Sequence, residues 1–103
     1  MDHLELLRKN AQKIIDIGKH HGALNLRIFG SVARGDYDIK SDFDFMYSKG
    51  ENRTPWFPGG FKVDLEELLG TKVDVVSDKA LKDRLKQQIL TEAIPLCELI
   101  EKD

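Results

Sequence analysis

The chain has 103 residues and a formal net charge of −2, with 41% hydrophobic and 33% charged residues. That balance fits a soluble, folded protein rather than a disordered one, and the length fits one small domain over residues 1–103. It provides no bulk positive charge for direct nucleic-acid binding, no run long enough to span a membrane and, with Cys97 as the single cysteine, no internal disulfide.

A lone cysteine suits the reducing cytoplasm, and Cys97 reads as small apolar filler rather than a nucleophile. The mixed-charge start, "MDHLELLRKN", does not read as a signal peptide.

Residues 2–21 repeat Leu4, Leu7, Ala11, Ile14, Ile15 and Gly18 at helical spacing, with an Asp2/Glu5 capping box and Gly22 as a stop. "LNLRIF" at 24–29 alternates Leu24, Leu26 and Ile28 against polar or outward positions, which predicts a strand. "GSVARGD" breaks it, with a short helical turn over 31–34. A polar loop leads to "DFDFMYS", a second strand with Phe43, Phe45 and Tyr47 on one face and Asp42, Asp44 and Met46 on the other.

The segment 49–60, rich in Pro and Gly, predicts an exposed loop anchored by packing Trp56 or Phe57 into the core. "FKVDLEELLG" reads as a helix stopped by Gly70, and 71–76 as a short β-branched strand. A last helix follows from a Ser77/Asp78 cap, carries Leu81, Leu85, Ile89 and Ala93, and ends at Pro95. The lysines 79, 82 and 86 on it read as a solvated face, and His3, His20 and His21 as structural. The expected fold is α/β (α+β), a small mixed sheet flanked by helices in the order α-β-α-β-α-β-α.

Chemistry concentrates in "FGSVARGDYDIKSDFDF". Residues two apart on a strand share a face, so Asp42 and Asp44 project together while the phenylalanines turn into the core. Two adjacent carboxylates repel unless a cation lies between them, and oxygen-only ligands suit Mg²⁺ with substrate phosphates. Asp74, mid-strand between Val73 and Val75, is the candidate third carboxylate. Gly30 allows close backbone approach, and Ser31 adds a hydroxyl and an N–H at a helix start, as a phosphate grip requires. For Arg34 an ion pair with Asp36 or Asp38 and a phosphate contact are equally open.

Gly30-Ser31, the ten residues 32–41 and Asp42-Phe43-Asp44 fit the GS-x10-D-x-D signature of the DNA polymerase β-like nucleotidyltransferases. With the downstream sequence from Leu65, the chain resembles the minimal nucleotidyltransferase (MNT) family over roughly residues 10–95. The resemblance implies that Asp42, Asp44 and Asp74 hold two Mg²⁺ ions, that Gly30 and Ser31 grip the triphosphate of ATP, and that Arg34 contacts phosphate or braces the loop. It implies transfer of a nucleoside monophosphate to a hydroxyl with release of pyrophosphate, Asp74 serving as general base.

Larger relatives carry a second domain for the acceptor, so here a partner supplies it. The resemblance suggests a HEPN-domain toxin, silenced by AMP on a tyrosine. Two other readings stand beside the enzyme: an antitoxin that acts by binding alone, and a nucleotide-sensing module. Self-association is left open.

Overall fold

The computed structural model describes residues 2–101. Helix α1 (His3–His21) starts where the Asp2 carboxylate accepts the Glu5 N–H at 2.9 Å. It ends at Gly22, whose left-handed backbone (φ 88°) turns the chain into β1 (Ala23–Phe29). There follow α2 (Gly30–Arg34), β2 (Phe43–Lys49), α3 (Gly59–Leu69) and β3 (Val73–Ser77). A 3-10 turn at Asp78–Ala80 precedes α4 (Asp83–Glu92), then β4 (Ile94–Pro95) and a second 3-10 turn at Leu96–Leu99.

The four strands form one mixed sheet in the order β3-β2-β1-β4. β1 runs antiparallel to β2 and β4, and β2 runs parallel to β3 through the α3 crossover that a parallel pair requires. The expected mixed α/β architecture is therefore present, with β4 as an addition.

One face of the sheet carries the core. Phe43 and Phe45, both 0% exposed, pack with Leu7, Ala11 and Ile14 of α1 and Phe61 and Leu65 of α3. The loop after β2 is pinned by Phe57, whose ring meets Tyr47 edge-on at 5.2 Å, while its neighbour Trp56 stands 84% exposed. His21 is structural, as expected: buried, it bonds the Thr54 hydroxyl at 2.7 Å and the Asp64 carboxylate at 2.6 Å, tying α1 to this loop and to α3.

Three expectations need correction. Leu24 was assigned to the inward face of β1 but is 40% exposed, because the ladder slips between Leu24 and Arg27 around Asn25, whose φ is +53°. That bulge inserts one residue and breaks the alternation. The last helix does not run unbroken from Ser77: the Ser77 hydroxyl caps only the 3-10 turn, and the backbone is extended at Leu81 and Lys82 before α4 begins. Cys97 is exposed rather than core filler; Leu96 and Leu99 of the same turn are the residues that enter the core. Met46 lies on the carboxylate face, as expected, and is buried there.

Candidate active site

The second face of the sheet carries the acidic residues. β2 and β3 pair in parallel register with Asp44 directly opposite Asp74, and Phe43 opposite Val73. Register partners point to the same side, so the two carboxylates adjoin on one face while Phe43 and Val73 enter the core.

The Asp44 carboxyl is held above its ordinary pKa. Partial burial is the largest cause, followed by the charges of Asp74 and then Asp42, while Arg34 opposes the shift. Asp42 immediately precedes β2 rather than lying within it, near enough for its charge to act on Asp44.

Gly30 is seated against this pair. β1 ends at Phe29, which faces Asp44 across the ladder, and Gly30 follows with φ 74°. A Cβ built on Gly30 would run into the Asp44 carboxylate. Glycine is therefore required twice at this position, for the left-handed backbone and for the space. Ser31 occupies the first turn of α2, and its carbonyl accepts the N–H groups of Gly35 at 3.0 Å and Asp36 at 3.1 Å, which closes that turn.

The loop into the site is braced from outside. Asp38 accepts the Lys40 N–H at 2.8 Å, the Ser41 hydroxyl accepts the Asp38 N–H at 3.0 Å, and His3 of α1 donates to the Ser41 carbonyl at 2.7 Å. Asp38 is thus a turn former, and His3 fixes the residue just before Asp42. No spacing in the sequence signals that role for His3.

Arg34 takes the ion-pair alternative. Its Nε donates to Asp36 at 3.1 Å and its Nη1 to Glu92 of α4 at 3.2 Å, and both carboxylates, Asp36 first, push its pKa further up. The Arg34 side chain is 44% exposed. Exposed ion pairs are screened by solvent and contribute little, so a phosphate can recruit this side chain at small cost.

Among the described residues, no three Asp, Glu, His or Cys side chains already close into a metal cage. The structure instead assembles an open donor set. The Asp44–Asp74 pair carries mutual repulsion that a cation would relieve, and it presents only oxygens. This fits Mg²⁺, which keeps waters and takes one or two carboxylates beside substrate phosphates. Next to the pair, a groove of about 800 Å³ opens between the sheet and α4. Its lining on α4 was not assigned to any site from the sequence, where it showed only as helical periodicity.

The polymerase beta nucleotidyltransferase family model matches residues 12–102. The chain belongs to this family. A candidate protein adenylyltransferase of Methanocaldococcus jannaschii is 39% identical over 83 residues, covering 81% of this chain and 89% of its own. A second from the same organism is 32% identical over 90 residues, covering 85% and 87%.

The solved structure of a candidate minimal nucleotidyltransferase superposes with a TM-score of 0.81 at 44% identity, covering 92% of this chain and 96% of its own. The chain therefore stands among the minimal nucleotidyltransferases. A toxin–antitoxin structure with AMP-PNP shares the fold at a TM-score of 0.70 and 24% identity, covering 84% and 72%. The MntA–HepT toxin–antitoxin structure does so at 0.64 and 21%, covering 86% and 70%.

Proposed function

We propose that this chain transfers AMP from ATP to a protein hydroxyl with release of pyrophosphate, and that the acceptor is a tyrosine of a HEPN-type toxin for which it is the antitoxin. The observation that carries the reading is the Asp44–Asp74 pair in register, with Gly30 seated against Asp44. The adenylyltransferase names of the M. jannaschii relatives support the reaction, and the toxin–antitoxin neighbours, one with AMP-PNP, support the setting.

In this reading Gly30 and Ser31 bind the triphosphate through backbone N–H groups and the serine hydroxyl, and Arg34 leaves Asp36 and Glu92 to join them. Asp42, Asp44 and Asp74 would hold Mg²⁺, which when bound supplies charge neutralisation for the phosphates and acidifies the acceptor hydroxyl. The acceptor oxygen forms a bond to the α-phosphorus as the bond to the α,β-bridging oxygen breaks. The electron pair leaves with pyrophosphate, and the hydroxyl proton passes to the Asp74 carboxylate. Asp74 suits that task because it is the exposed member of the pair, open to an incoming acceptor.

Incubation with α-labelled ATP, Mg²⁺ and the product of a neighbouring toxin gene should label the toxin. The Asp42→Ala/Asp44→Ala variant should not, and labelling that persists in it would sink the proposal. An antitoxin acting by binding alone is the second reading. It would be favoured if that same variant still neutralised the toxin.

A further inference from the structure

The groove beside the carboxylates is open on one side and apolar on its walls. Phe29 and Val76 form the sheet side; Leu81, Leu85 and Ile89 form the opposite side, with the Gln88 amide among them. All five apolar side chains are only partly covered, Leu85 being 48% exposed, and no residue of α4 is buried. A protein leaves such a wall unpacked where something else completes it.

The groove is continuous with the site already described. Gly30, which contacts Asp44, also lines it, and Val76 lies two residues beyond Asp74 on the same face of β3. Its volume, about 800 Å³, is that of a small-molecule site rather than of a packing defect. The one cation in its wall, Arg34, lies at the phosphate end and is already held by two carboxylates.

We infer that this groove is the slot for the base of the nucleoside triphosphate, walled by Phe29, Val76, Leu81, Leu85 and Ile89, with Gln88 as the residue that reads the base edge. The inference rests on the proposed nucleotidyl transfer and names the part of the site that selects the nucleotide. A base is a flat, largely apolar ring with a hydrogen-bonding rim. The apolar walls complement such a ring and the Gln88 amide, which both donates and accepts, suits its rim; of the other polar lining, the Thr91 hydroxyl is bonded to the Gln87 carbonyl and Glu92 to Arg34. A triphosphate would need the cation and N–H groups found at the Gly30 end. The slot is built largely from α4, so base recognition depends on how α4 is held against the sheet.

The test is titration calorimetry of the full chain with ATP, and separately with inorganic tripolyphosphate, in Mg²⁺. Ile89→Asp should weaken ATP roughly tenfold and leave tripolyphosphate unchanged. Leu85→Lys, at a half-exposed position the fold does not need, should do the same. Gln88→Ala should narrow the spread of affinities among ATP, GTP, CTP and UTP.

Equal losses for ATP and tripolyphosphate, or no loss for either in both wall variants, overturn the base slot. So does an unchanged ATP affinity with weakened toxin capture, which would make the groove an acceptor-docking surface. An unchanged spread in Gln88→Ala overturns the part given to Gln88. If the unaltered chain binds neither ligand, the nucleotidyl reading fails first and the slot with it.

Discussion

At the scale of single residues, the structure places a cost at Asp44 that a bound cation would relieve. Its carboxyl is partly buried and faces Asp74 and Asp42, so its folded pKa lies above the unfolded one. A raised carboxyl pKa contributes stability below the ordinary carboxylate range and loses it as pH rises through the folded value. In chelator, Asp44→Asn should therefore melt higher than the unaltered chain at neutral pH, and the difference should shrink as pH falls into the ordinary carboxylate range. Adding Mg²⁺ should raise the melting temperature of the unaltered chain and not that of Asp44→Asn. A melting difference that is the same at acid and neutral pH would show that ionisation is not its cause.

Gly30→Ala addresses the same contact from the other side. It meets both a left-handed backbone and the Asp44 carboxylate, and should cost about 1–3 kcal/mol by denaturant melts. Combining it with Asp44→Ala should recover part of that loss, the part due to the collision, as a non-additive cycle.

At the scale of elements, the loop between β2 and α3 shows how two adjacent aromatics take opposite roles. Phe57 meets Tyr47 edge-on and stacks on Phe61, whereas Trp56 is solvated. Phe57→Ala should destabilise by about 1–3 kcal/mol and Trp56→Ala by no more than about 0.5 kcal/mol. Equal effects in thermal melts would mean that the loop is not anchored where the ring contacts put it.

The same segment marks how far the sequence was legible. That one aromatic would anchor the loop could be read; which one depended on tertiary geometry. Helix α1 was legible because its caps are local: Asp2 and Gly22 do in the structure what their side chain and backbone suit them for. The carboxylate strand was legible because alternation is local too.

The bulge at Asn25 was not legible, since a left-handed asparagine has no signature beyond its residue type. The two-residue strand β4 was hidden by Pro95, which has no backbone N–H to give to a ladder and reads simply as a helix stop. The break at Leu81–Lys82 was hidden because Leu81, Leu85 and Ile89 keep a helical period across it. Of the site, the register of Asp44 against Asp74 could be guessed only by joining the motif to a distant strand. The hold of Glu92 on Arg34 lay 58 residues away and had no sequence signal.

At the scale of the whole molecule, the sheet has two unequal faces. The core face is closed by α1 and α3, which contribute fully buried residues such as Leu7, Ile14, Phe61 and Leu65. On the carboxylate side the groove is walled by α4, which buries no residue and meets α2 through the exposed Arg34–Glu92 pair. Opening free energy follows buried apolar contact, so the two faces should not share one stability.

Native-state hydrogen exchange should find the amides of α1 and of β2 exchanging only on global unfolding. Those of α4 should exchange far sooner, by local opening. ATP with Mg²⁺ should slow exchange in α4 by a factor that grows with ligand saturation and leave α1 unchanged, because the groove is walled on one side by Leu85 and Ile89 and on the other by the sheet. If α4 were already as protected as α1 without ligand, its exposed apolar residues would not be awaiting a partner. The helix would then be a fixed wall of the groove rather than an element that the nucleotide stabilises.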